Sequence, residues 1–327
     1  MRRFLLYLSY CGTRFRGVQK QPDEELSKLP RSVQGLIEAG LLSLRPANTP
    51  ALVFSSRTDK GVHALNNAAH VDLCRKTEGS FYDPEYVTGT LNKYFVRENV
   101  DIRVHRTVAV PSGFHARYHA AGRSYLYRIA VLKPDIIVRK KWQIQAFLPS
   151  VELNRILLVR SPFDIEQFVS GCRLLQGSHN FTTFMSSPSK TSFPVNPNRC
   201  LDSITVTEGR PFFDPVYNQL YENLQLWDVK FSAPSFLHNQ VRRIVGALIA
   251  VAHGKISLDC IQAMLDNPDP QNWNPRATLV PACGLYLLQV RYPPEVFEES
   301  FHQNYMKDNT TPDSLDENCS TGLKDNR

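Results

Sequence analysis

Ala51-Leu52-Val53-Phe54-Ser55-Ser56-Arg57-Thr58-Asp59-Lys60-Gly61-Val62-His63-Ala64 starts as an apolar run and breaks into a loop with an Arg, an Asp, a Lys, a Gly and a His within seven residues. The run reads as the buried end of a strand. Ala68-Ala69-His70-Val71-Asp72-Leu73 then alternates as the next strand. Upstream, Phe4 to Tyr10 reads as a strand stopped by Cys11-Gly12-Thr13, and Ser32 caps a helix carrying Val33, Leu36, Ile37, Leu41 and Leu44 at helical spacing. Downstream, Asp83 to Phe95 reads as a helix and Val100 to Val108 as a strand. Strand, helix, strand, strand, helix, strand is a split βαβ order, which predicts a ferredoxin-like first half with an antiparallel sheet.

The polar loop needs a reason to sit beside a core strand. An ionised carboxylate near the interior costs several kcal/mol unless it is paired, so Asp59 calls for a cationic partner and would then serve as a nucleophile or base. Ser55, Ser56 and Asp59 can equally cap a turn, with Gly61 supplying a positive φ.

A second constellation runs from Phe114-His115-Ala116-Arg117-Tyr118 into Arg123-Ser124-Tyr125-Leu126-Tyr127-Arg128-Ile129. Strand alternation puts Arg123, Tyr125, Tyr127 and Ile129 on one face, Leu126 and Arg128 on the other. Such tyrosines either pack across the sheet or offer a platform for a base, with the arginines holding a nucleic-acid backbone. Arg14-Phe15-Arg16-Gly17-Val18-Gln19-Lys20 reads as a basic loop with one aromatic, suited to phosphate and base contact.

Farther on, Phe163 to Gln176 reads as a helix, residues 185–200 as a surface insertion and Asn223 to Phe231 as a strand. That strand leads into Phe236-Leu237-His238-Asn239-Gln240-Val241-Arg242-Arg243-Ile244-Val245-Gly246, a helix with Ser235 as its cap and Gly254 as its stop. Arg242 lies at the edge of the apolar stripe, with Arg243 turned to the surface or to phosphate. Ile256 to Leu265 reads as a short helix, Ala277 to Val290 closes the sheet, and the chain from about Tyr305 is predicted disordered.

With 327 residues, 42% hydrophobic and 21% charged, the chain is an ordinary globular protein of one large or two ordinary domains. The formal charge is +7. Residues 301–327 hold three basic against five acidic side chains, which leaves a body of +9 and favours a polyanionic partner. Seven scattered cysteines without a C-x-x-C pair argue against a disulfide framework or a zinc site. Neither a signal peptide nor a membrane-length apolar run is evident, so a soluble intracellular protein is expected.

Arg57-Thr58-Asp59-Lys60-Gly61-Val62-His63-Ala64 resembles the R-T-D-x-G-V-H signature of the TruA-type tRNA pseudouridine synthases. The F-H-A-R, R-x-Y-x-Y, F-L-H-x-x-V-R and G-L-x-L segments extend the resemblance over residues 3–292, closest to the family's eukaryotic synthase-like branch. Two positions depart from it: Val18 replaces a Trp usual after Gly17, and Asn180 replaces an Asp.

The resemblance implies an α+β fold of two ferredoxin-like halves, with one continuous, mostly antiparallel sheet flanked by helices and the active-site cleft between the halves. Residues 1–110 would carry the catalytic Asp, residues 111–300 the RNA-binding surface and the Arg-bearing helix, and residues 301–327 an acidic tail. It implies Asp59 as nucleophile, Arg242 as its guanidinium partner and Arg57 helping to hold the RNA open. Tyr125 and Leu285 would enclose the target base, with His63, Phe114, His115 and Arg117 as further RNA contacts. It also implies no cofactor or metal, tRNA as partner with messenger RNA a second candidate, a homodimer, and a mitochondrial or cytosolic setting. Two other readings compete: an RNA-binding or assembly factor that has lost catalysis, and a carboxylate glycosidase, for which no second carboxylate motif stands out.

Overall fold

The computed structural model describes residues 1–21, 32–136, 138, 140–186 and 195–302. The acidic tail beyond residue 302 and the middle of the 185–200 insertion, 187–194, lie outside the described residues.

The first half follows the predicted order: β1 (Arg2–Tyr10), α1 (Val33–Leu41), β2 (Val53–Phe54), β3 (His63–Leu73), α2 (Pro84–Arg97) and β4 (Ile102–Val110). Local chemistry sets the helix starts. The Ser32 hydroxyl accepts from Gly35 N–H, and Asp83 accepts from Glu85 and Tyr86 N–H just before Pro84. The second half adds β5 (Gly122–Leu132), β6 (Leu157–Val159), α3 (Ile165–Leu175), β7 (Gly177–Asn180), β8 (Asn198–Leu201), β9 (Ser203–Glu208), β10 (Leu224–Ala233), α4 (Gln240–Ala252), α5 (Leu258–Asp266) and β11 (Leu285–Arg291).

One sheet of nine strands runs through both halves in the order β4-β1-β3-β11-β5-β10-β9, with β2 beside β3 and β6 beside β5; β7 and β8 form a separate pair. Pairing is antiparallel except for β11 on β3 and β6 on β5. The protein is therefore α+β, with a large, mostly antiparallel sheet flanked by helices. The last strand is the wedge at its centre. Tyr286 and Leu287 pair with His63 and Ala64 on one side and with Leu126 and Tyr125 on the other.

Two cores meet at that wedge. Phe4, Leu6 and Leu8 pack on Leu36 and Ile37 of α1 and on Leu91 and Phe95 of α2, joined by Leu287 and Val290. Tyr127, Ile129, Val229 and Phe231 pack on Phe168 of α3 and on Ile244 and Leu248 of α4, joined by Leu285. Each of these large side chains contributes about 1.5–3 kcal/mol by burial, so the sheet is pinned from both ends and its middle is where a loop can stand open.

Candidate active site

Asp59 lies in the loop from β2 to β3, just ahead of the strand that pairs with the wedge. The backbone around it is held on several sides. Ser55 N–H donates to the Ala68 carbonyl at 2.8 Å and Val18 N–H to the Thr58 carbonyl at 3.1 Å. The Tyr10 hydroxyl meets Thr58 Oγ1 at 2.7 Å, while Asn67 Nδ2 donates to that hydroxyl and to the Ser56 carbonyl. Arg123 donates to Ser55 O at 3.2 Å. Two glycines make this closeness possible. A Cβ on Gly12 would stand 1.9 Å from the Val62 carbonyl oxygen, and Gly61 turns the chain at φ 82°.

From the other half, β10 delivers Pro234 to Asn239 and then α4. Asn239, at φ 59°, stands at the N-cap of α4, so the cap is not the predicted Ser235. Its Oδ1 accepts from Arg242 Nη1 at 2.8 Å and its Nδ2 donates to Ser186 Oγ at 2.8 Å. Arg242 Nε donates to the Val280 carbonyl at 2.9 Å. Thus braced, Arg242 Nη1 reaches Asp59 Oδ2 at 3.9 Å, an ion pair without a direct hydrogen bond. The Asp59 side chain is 39% exposed, so the desolvation expected from the sequence is only partial and the attraction is on the order of 1 kcal/mol.

Sequence reasoning missed a second neighbour: His238 Nε2 stands 3.5 Å from Asp59 Oδ1, with its side chain 59% exposed. His238 falls inside the F-L-H segment, but helical spacing says nothing of its approach to a loop 179 positions earlier.

Tyr125 feels the Asp59 charge, and Leu285 belongs to the second core. Tyr125 packs edge-on against Phe236 at 5.0 Å. Burial pushes its hydroxyl up to about 12; nearby Arg123 opposes the rise and the Asp59 charge adds to it. Leu285 opens β11 opposite Tyr127 and is nearly buried.

The other residues expected at the site are placed as follows. His63 is buried at 2%, stacked on Tyr286 at 4.6 Å, with Gly12 N–H on Nδ1 and the Asn154 carbonyl at 2.9 Å from Nε2. Both ring nitrogens have partners within the protein. Phe114 is fully buried against Tyr292 and Phe297, and its role is packing. His115 Nδ1 accepts from Arg117 and Tyr118 N–H, and its ring stacks on Tyr118, so it shapes its loop. Arg57 and Arg117 are exposed.

The arginines flanking Tyr125 are engaged within the protein. Arg123 also donates to the Pro234 and Arg117 carbonyls, and Arg128 pairs with fully buried Glu152 at 2.7 Å. Phe15 and Val18 are buried in the first core, which leaves no stacking ring in the basic loop. Arg243 is half-buried: it donates to the Thr183 carbonyl and lies over the Trp273 ring at 4.6 Å. Among the described residues no three His, Cys, Asp or Glu side chains group as metal ligands, and no helix is long and apolar enough to cross a membrane.

Asp59 is thus met by a guanidinium and an imidazole from the far half of the chain. A family profile described as tRNA pseudouridine synthase matches residues 172–293. The tRNA pseudouridine synthase-like 1 of Xenopus laevis is 32% identical over 292 residues, 89% of this chain and 91% of that protein. The chain belongs to the tRNA pseudouridine synthase family. The mouse tRNA pseudouridine synthase-like 1 is 34% identical over 295 residues, 89% of this chain and 94% of its own, and the tRNA pseudouridine synthase A of Allorhizobium ampelinum is 34% identical over 293, 90% and 96%. Relatives are thus matched nearly end to end, across both sides of the wedge. Membership in the tRNA pseudouridine synthases makes this protein an isomerase of the TruA type.

Proposed function

We propose that the protein isomerises uridine to pseudouridine in tRNA, in the anticodon arm, with Asp59 as the nucleophile and without a cofactor. The N1–C1′ bond breaks, the freed base turns in place, and C5 is joined to C1′. A stacked base has to be everted to reach Asp59, at a cost of a few kcal/mol. Arg242 keeps the carboxylate ionised and aimed, either for addition to C1′ or for proton removal from the sugar. Tyr125 and Leu285 hold the free base between an aromatic edge and an apolar wall. Arg57 and Arg117, both exposed, grip the RNA at the rim. Residues 1–110 supply the carboxylate and residues 111–300 the cation and the RNA surface. The family resemblance extends this reading to a homodimer acting in the mitochondrion or cytosol, with messenger RNA as a second substrate.

The observation that carries the reading is the approach of Arg242 to Asp59 across the central strand while the carboxylate stays open to solvent. Incubation with unmodified tRNA transcripts followed by base-resolved pseudouridine mapping tests it. Asp59→Asn should abolish conversion while leaving tRNA affinity within a few-fold; residual turnover in the pure variant, or an inert wild type, overturns the reading.

A further inference from the structure

His238 lies between two groups that want opposite things from its Nε2. Asn239 Nδ2 is 3.4 Å away and can only donate, so it favours an Nε2 lone pair. The amide's orientation is fixed independently, because its Oδ1 receives Arg242 and its Nδ2 reaches Ser186 Oγ. On another side, Asp59 Oδ1 at 3.5 Å can only accept and favours an Nε2 proton. The ring therefore has a partner waiting in either protonation state. The backbone is held as well, with Ser186 N–H donating to the His238 carbonyl at 3.1 Å. A histidine kept for packing would be buried with both nitrogens spoken for, as His63 is; this one is exposed at the mouth of the site.

The proposed isomerisation leaves one proton to be moved. Once C5 has bonded to C1′, C5 carries both the sugar and its original hydrogen. The C5–H bond must break, its electron pair restoring the C5=C6 double bond, while N1, released from the sugar, gains a proton. We infer that His238 is the base that takes the C5 proton. Nε2 gives up the Asn239 amide as it takes the proton and then donates toward Asp59 Oδ1, which is freed as C5 takes its place at the sugar, and the proton passes through solvent to N1. Atoms and charge balance with no co-reactant, and the step is needed whichever route Asp59 takes. Tyr125 is a poor alternative base, because desolvation and the Asp59 charge hold its hydroxyl in the protonated form.

This inference rests on the proposed function, and the experiment separates the two. Wild type, His238→Gln and His238→Ala are given tRNA transcripts carrying uridine, [5-²H]uridine or 5-fluorouridine. His238→Gln should lower kcat about 100-fold with KM nearly unchanged, and should show a primary deuterium isotope effect because C5–H cleavage now limits turnover. Added imidazole should restore part of the His238→Ala rate. Capture of 5-fluorouridine, which needs no C5 proton removed, should proceed at the wild-type rate. The urea midpoints should match, since an exposed ring is being changed. A variant with wild-type kcat, a defect only in KM, a loss without an isotope effect, or an equal loss on 5-fluorouridine overturns the assignment of His238. A wild type that converts no uridine sinks both readings.

Discussion

Removing one oxygen atom, by Tyr10→Phe, measures how far the loop that bears Asp59 depends on its buried support. The Tyr10 hydroxyl meets Thr58 Oγ1 at 2.7 Å and accepts from Asn67 Nδ2 at 3.2 Å. Asn67 is fully buried and retains the Ser56 carbonyl; Thr58 is 7% exposed and loses the partner of its hydroxyl. One ordinary hydrogen bond contributes about 1 kcal/mol net, and a buried hydroxyl stranded without water costs about 1–3 kcal/mol. A destabilisation of about 2–4 kcal/mol follows, which for a chain of 327 residues lowers Tm by roughly 3–6 °C. The second effect is kinetic. Thr58 adjoins Asp59, and a loosened loop misaims the carboxylate, so kcat should fall at least 10-fold while KM for tRNA stays put, a modest share of the about 100-fold that a 1 Å misplacement costs. Thermal unfolding with single-turnover pseudouridine formation reads both. A Tm within 1 °C of wild type together with an unchanged kcat would refute the claim that this hydroxyl braces the site.

Arg123→Met should lower the urea midpoint by the equivalent of about 2–4 kcal/mol, because several carbonyls lose their donor at once; its tRNA dissociation constant, measured on the folded fraction, should change less than two-fold. Gly246→Ala places a Cβ 2.0 Å from the Thr278 carbonyl oxygen. It should push α4 off the Val280 segment, cost about 1–3 kcal/mol and lower kcat by loosening Arg242. Burial, foremost, depresses His70 and His119 to about 4. Folded imidazoles then stay neutral where unfolded ones, near 6.5, take up protons. Their contribution is complete above about pH 6.5 and is lost as the pH falls through about 4, so urea midpoints should decline over that window and His119→Asn should flatten the decline.

The residues that reveal themselves in sequence are those whose fate is set by near neighbours. Ser32 before Val33, Asp83 before Pro84, and the alternation from Arg123 to Ile129 each specify their element within a few positions, and the split βαβ order follows from them. Asp59 and Arg242 could be paired on paper only through the family resemblance, since nothing local links a loop to a helix 183 positions later. Arg123 and Arg128 misled for a related reason. A strand pattern says which face an arginine takes, but not whether carbonyls, Glu152 or a phosphate awaits it there. His63 and Phe114 shared the motif's polarity or proximity yet are consumed by packing, which depends on Tyr286 and Phe297, far along the chain. The parallel docking of β11 on β3 left no local mark either, because parallel partners need a long crossover rather than a turn.

That central strand has a temporal meaning. Residues 285–291 are made after every other strand of the described chain, and until then β3 and β5 lack the strand that pairs with both. The loop that bears Asp59 can mature early, whereas Leu285 and the pairing that makes the two halves one sheet come late. A nascent chain stalled before Leu285 would keep much of its secondary structure and lack the continuous sheet.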